Sequence, residues 1–167
     1  MKVYNEGMLK KALSLIVCVL FAGSVCGCYL GSGAKYRRKE HRTALKVFEY
    51  IQDEDIDSLV ELFSEDAADR HDLEEEWEDF FDEVDGDIES YGRLQISVSE
   101  ERVDRGEITR IHLQVRFRDV TTDEGTEYDE LVYMTYPVHS DSDQLGITVL
   151  ELISDDDEIV VGGYTGD

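Results

Sequence analysis

A chain of 167 residues carrying 16 basic and 40 acidic side chains has a formal net charge of −24, with length for one domain and a real core. A field of that sign repels nucleic acid and bare anionic lipid, which excludes nucleic-acid binding as a function. Hydrophobic residues make up 41% and recur with a period instead of being scattered, which excludes wholesale disorder.

In chain order, Lys10 and Lys11 precede an apolar run from Ala12 to Gly23 that closes on Val25-Cys26-Gly27-Cys28. Basic residues, an apolar stretch and a small-residue cleavage site make a signal peptide over residues 1–27. Met8 starts it more cleanly than Met1, whose first residues include Glu6. Val25-Cys26-Gly27-Cys28 resembles the lipobox of bacterial lipoproteins, with Gly27 at the cleavage position and Cys28 as the residue that receives a diacylglyceryl thioether. Two acyl chains there attach a protein stably, where one gives marginal binding. An uncleaved anchor is the alternative, because the 17 residues from Ala12 to Cys28 reach the low limit of a membrane span. Cleavage places the chain on the extracytoplasmic face of the cell membrane, with no thiol besides Cys28.

Residues 28–40 read as the lipidated cysteine and a linker that turns basic. Lys35, Arg37, Arg38, Lys39 and Arg42 stand there against Glu40 alone, a leg of net +4, whereas the 8 basic and 38 acidic residues from Ala44 onward sum to −30. Arg37, Arg38, Lys39 and Arg42 either face anionic headgroups, at about 1 kcal/mol per cation, or form a solvated first helical turn.

The α+β domain is expected over residues 41–154. Ala44, Leu45, Val47, Phe48 and Ile51 form a helical stripe over Arg42–Gln52. Asp55 caps a second short helix carrying Ile56, Leu59, Val60, Leu62 and Phe63, and Ser64–His71 reads as its exit and a loop. Asp72, with Glu75 in capping-box spacing, opens a third helix whose stripe is Leu73, Trp77, Phe80, Phe81, Val84 and Ile88. After Tyr91 the period drops to two. Leu94, Ile96 and Val98, then Ile111, Leu113, Val115 and Phe117, then Val132, Met134, Tyr136 and Val138, then Ile147, Val149 and Ile153 mark four strands. Turns fall at Asp104-Arg105-Gly106, Thr122–Gly125 and Ser140–Asp143. Three amphipathic N-terminal helices therefore cover one face of a four-stranded antiparallel sheet. Residues 155–167 read as an acidic and glycine-rich tail.

Leu62-Phe63-Ser64, Trp77 with Phe80-Phe81, Gly86–Tyr91 and the strands after them resemble a lipoprotein family of Gram-positive bacteria built on domain of unknown function 5104. The resemblance covers about residues 40–153. It implies a cone-shaped domain similar to nuclear transport factor 2 and the cystatin-like folds, where helices pack into a strongly curved sheet and the cone often encloses a pocket. It transfers no catalytic motif.

Enzymes on such a fold place an acid or histidine inside the cone, and His112 is the first candidate. It alternates with Ile111, Leu113, Val115 and Phe117, which sends it to the opposite, polar face with Arg116 and Arg118. His41, His71 and His139 have no metal-ligand spacing between them, so no zinc site is expected. Asp141, Asp143 and Gly146 occupy positions one, three and six of a hand-type calcium loop, but Leu145 and Leu152 fill positions five and twelve. Asp155–Glu158 reads as a solvated acidic run. Trp77, Phe80, Phe81 and Tyr133 either pack the core or line a pocket. The expected role is thus a membrane-held, non-enzymatic binding or association module without metal or cofactor. Its partner would be a small ligand or a protein, or a second copy meeting it through the open sheet face. The alternative is an envelope enzyme of dehydratase or isomerase type.

Overall fold

The computed structural model describes residues 32–155 and 157–163, with side chains from Lys35 onward. Gly27, Cys28 and the apolar run lie outside the described residues. The chain divides into a unit 1–36 and a unit 37–167. The second unit is α+β, with helices first and an antiparallel sheet after them.

Among the described residues four helices precede the sheet: α1 (Ser32–Gln52), α2 (Ile56–Val60), α3 (Glu65–Arg70) and α4 (Leu73–Glu83). Helix α1 starts ten residues before the expected Arg42, taking in most of the supposed linker. Lys, Arg and Glu are good helix formers, and the stripe looked shorter only because its first inward position is a charged residue. Glu40, Ala44, Val47, Phe48 and Ile51 all point inward and are buried. Asp55 caps α2 by accepting from the Ser58 amide at 3.2 Å.

Helix α3 replaces the loop expected over Ser64–His71. Only Ala67 of its six residues is buried, so it has no stripe to read. Its ends carry the signal instead. Ser64 Oγ accepts the Ala67 amide at 3.2 Å, Glu65 and Asp66 lie in the first turn and Arg70 in the last. Ser64 is fully buried, and its own amide donates to Ile147 O at 2.8 Å while the Ile147 amide donates to Leu62 O at 2.9 Å. That short parallel bridge pins the helical layer to the sheet. It runs against Gly146, where a Cβ would come within 2.9 Å of Leu62 O and the Ser64 amide nitrogen. Ser64→Ala leaves the bridge but removes the cap, and should cost about 1–2 kcal/mol in urea denaturation; an unchanged midpoint would show that the hydroxyl bond contributes nothing.

Helix α4 ends at Glu83, with Val84 already extended, so the stripe does not run on to Ile88. The Asp87 amide donates to Asp123 Oδ1 at 2.9 Å, and Ile88 opens the first strand.

The sheet has five strands in sequential order, not four: β1 (Ile88–Asp104), β2 (Glu107–Thr122), β3 (Glu127–His139), β4 (Gly146–Ile153) and β5 (Glu158–Gly162). The β1–β2 hairpin turns through Arg105 (φ 50°) and Gly106 (φ 86°), the paired left-handed geometry that matches strand twist. Two rows of residues cross all five strands and form the floor beneath the helices. One is Leu94, Phe117, Leu131, Leu152 and Ile159; the other is Ile96, Val115, Tyr133, Leu150 and Val161.

Strand β5 lies where a tail was expected. The helical layer holds its end through Glu76: the Gly162 amide donates to Glu76 Oε2 at 2.6 Å, and the carboxylate is itself steadied by His71, whose Nδ1 lies 2.9 Å from Oε1. Gly162 has φ 75°, and a Cβ there would fall 2.6 Å from Thr148 O.

Candidate functional site

Helix α1 lies over the floor and makes a different environment on each flank. Toward β3, Glu40 reaches into the core and accepts a hydrogen bond from the Tyr133 hydroxyl at 2.7 Å. Tyr133 is fully buried and Glu40 is 4% exposed. Burial raises the Glu40 carboxyl above the ordinary range, against the Tyr133 hydrogen bond and the nearby Lys39, which both lower it. Burial also pushes the Tyr133 hydroxyl well up, and the Glu40 charge and hydrogen bond add to that push. The pair is therefore a neutral phenol donor facing an acid that ionises reluctantly. No such acid was expected from the sequence, although Glu40 sits four residues before Ala44 on the same face.

Toward the β1 edge of the sheet, α1 and β1 flank an open groove of about 670 Å³ lined by Arg37, Arg38, His41, Arg42, Leu94 and Ile96. Its floor is aliphatic, since Leu94 and Ile96 are half-buried against the core. Its wall is cationic and exposed. Among the described residues none of the three arginines has an ion-pair partner, in contrast to Arg70 with Asp66 at 2.6 Å or Arg118 with Glu130 at 3.6 Å. Leu45, 43% exposed, lies one turn further along the same flank. The groove can hold an anionic group against an apolar surface.

Trp77 and Phe80 are fully buried and Phe81 is half-buried. Trp77 meets Phe63 edge-on at 6.3 Å, Phe80 at 5.0 Å and Phe81 stacked at 5.6 Å. None of these aromatics, nor Tyr133, lines the α1–β1 groove or the two clefts described next.

Those clefts are polar. One of about 410 Å³ holds Asp119, Glu127, Asp129 and Asp155 beside Thr121, Tyr128 and Ser154. The other, about 570 Å³, is shallow and lies over the α3–α4 junction around His71. Among the described residues no group of three or more His, Cys, Asp or Glu converges as metal ligands would. Asp141 caps a short turn, Ser142–Gln144, by accepting the Asp143 amide at 3.3 Å.

His112 lies on the face opposite Ile111, Leu113, Val115 and Phe117, all fully buried. It is half-buried there and stacks on Tyr136 with ring centroids 4.3 Å apart. Burial lowers its pKa, with Arg110 acting in the same sense and Glu100 against it. His139 closes the group by accepting from Arg110 Nε at 3.0 Å, and Arg110 Nη1 is 3.5 Å from Glu100. Alternation located the face; the cross-strand stack that shields the ring depends on a pairing that alternation does not report.

No described helix is long and apolar enough to cross a membrane. Residues 46–155 match the model of a family described as Domain of unknown function (DUF5104). No curated protein matches the chain.

Proposed function

The chain belongs to the DUF5104 family, and from that premise we propose that it is an extracytoplasmic lipoprotein whose folded domain is a non-enzymatic binding module working through the α1–β1 groove. In this reading the chain is cleaved after Gly27 and held to the cell membrane by diacylglycerol on Cys28, with the domain a cone of the nuclear transport factor 2 and cystatin-like kind. The observation that carries the binding role is the groove itself: three exposed guanidinium groups without acidic partners among the described residues, set over half-buried Leu94 and Ile96. Such an arrangement keeps its charges solvated until a ligand replaces the water. The address is supported by the run from Ala12 to Gly23 and by Val25-Cys26-Gly27-Cys28.

Mass spectrometry of the N-terminal peptide from the native protein tests the address. A diacylglyceryl-modified Cys28 is the expected terminus, and Cys28→Ser should move the chain out of the membrane fraction. An unmodified Cys28 in a membrane-bound chain would overturn the reading in favour of an uncleaved anchor.

A second reading, an envelope enzyme of dehydratase or isomerase type, is favoured by one observation. Glu40 is a buried acid with a raised pKa, hydrogen-bonded to a tyrosine, which is the equipment of proton transfer. Neither residue lines the groove or the two clefts, so substrate access would need an opening between α1 and β3.

A further inference from the structure

We propose that the groove receives an extended acidic peptide segment of another protein, which adds to the free edge of β1 as a sixth strand and sets its carboxylates against Arg38 and Arg42. The proposal rests on the binding role just given to the groove and names its occupant.

Strand β1 is the first of five in the sheet and, among the described residues, carries no strand on its outer side. An edge of that length presents a row of unpaired amides and carbonyls, a template for β-augmentation. Proteins usually blunt such edges. Here the stretch Leu94–Ile96 keeps regular pairing with Phe117–Val115 on β2, and the register shifts lie beyond it, after Ile88, Val98 and Arg102. The middle of the edge is thus regularly paired where the groove lies.

Spacing makes the match specific. Two residues along a strand advance about 6.6 Å, and four along a helix advance about 6.0 Å. Helix α1 runs back along β1, with Phe48 against Tyr91 and the Arg37–Arg42 turn beside Leu94 and Ile96, so acidic side chains at alternate positions of an added strand, all pointing to the helical side, come into register with Arg38 and Arg42, one helical turn apart. The aliphatic stems of the arginines and the peptide backbone then cover Leu94 and Ile96. The net negative charge that repels a long polyanion does not forbid a short acidic segment held in contact with the arginines. The Debye length is about 8 Å at physiological ionic strength, so arginines in contact outweigh distant carboxylates.

Two other occupants fit less well. A second copy pairing through its own β1 would turn Arg38 and Arg42 of both copies toward one dyad, like charge against like. A bilayer surface is flat on this scale and meets the rim arginines without reaching the floor of the groove.

The test uses the purified full chain in neutral detergent and a fluorescent peptide alternating glutamate and threonine, read by anisotropy. Saturable binding is expected, weakened about tenfold or more by the exposed double substitution R38E/R42E, a change of about 1.4 kcal/mol per factor of ten. The lysine–threonine counterpart should not bind. Peptides N-methylated at every second residue separate strand addition from simple ion pairing, because methylation in one phase removes the edge hydrogen bonds and in the other does not. One phase should abolish binding and the other spare it.

Equal binding by both methylated peptides overturns the added strand. So does equal binding by the lysine peptide, or phosphatidylglycerol vesicles displacing the chain's interaction with the peptide while binding tightly themselves. A diacylglyceryl-modified Cys28 in a protein that binds no acidic peptide would overturn this inference and leave the address standing.

Discussion

Trp77→Ala is expected to lower stability by about 3–5 kcal/mol, the range for removing a large aromatic from a packed core. Trp77 is 0% exposed and sits where Phe63, Phe80 and Phe81 converge. Phe63 is in turn tied to β4 through its parallel bridge to Ile147. The indole therefore joins the helical layer to the sheet, and its neighbours cannot collapse into the space without moving that bridge. For a domain of this size the thermal midpoint should fall by more than about 10 °C. Trp77→Phe should cost far less. The indole Nε1 is buried with no hydrogen-bond partner among the described residues, and an unmade bond to a buried donor carries a penalty of about 1–3 kcal/mol. Phenylalanine removes that penalty while losing part of the packing. Urea denaturation of the two variants side by side distinguishes a core aromatic from a pocket wall. A pocket wall would give a small loss for alanine, since the space is already open.

The residues most legible in the sequence were those whose neighbours along the chain decide their environment. The stripe Leu73, Trp77 and Phe80 placed α4 because helical spacing alone puts the three on one face, and all are buried. The alternation over Ile111–Phe117 placed β2 and the side to which His112 points for the same reason. Helix α3 was hidden because it buries one alanine, so its only signals were the Ser64 cap and the charges at its ends. Strand β5 was hidden because Ile159-Val160-Val161 follows an acidic run and finds its partner by pairing with β4. The anchor at Glu76, 86 residues earlier in the chain, is equally nonlocal.

The groove was half visible. Arg37, Arg38 and Arg42 stood out as a basic leg, but a basic leg has no floor until the fold brings Leu94 and Ile96 beneath it. Glu40 was readable in principle, since extending the stripe back one turn from Ala44 lands on it. Apolar periodicity does not reveal it, because the inward residue at that turn is an acid.

Glu40→Gln is expected to change how stability depends on pH, and Tyr133→Phe to expose the cost of the buried acid. The folded-state pKa of Glu40 lies above its ordinary value, because burial penalises the carboxylate more than Tyr133 and Lys39 favour it. A glutamate in the unfolded chain titrates near about 4.3. A group raised in this way contributes stability that is fully present below the unfolded pKa and lost as pH rises through the folded one. Glutamine keeps an oxygen to accept the Tyr133 hydroxyl and carries no charge. The variant should therefore gain on the parent as pH rises through the raised pKa, and the gap should close toward pH 4. Tyr133→Phe removes the donor from a carboxylate that has little water to replace it, a loss of about 1–3 kcal/mol near neutrality. That loss should shrink in acid, where the protonated carboxyl is less demanding, and should be smaller in the Glu40→Gln background. Urea titrations of the four proteins across pH 4–8 measure all of this, and a flat difference between Glu40→Gln and the parent would sink the raised pKa. The outcome also bears on function. A gain at neutral pH measures the cost of the buried carboxylate, which a cross-link from α1 to β3 carries as much as a working acid does. The enzymatic reading needs, besides that cost, an opening that admits a substrate to Glu40, whereas the exposed groove on the other flank of the helix is already open to solvent.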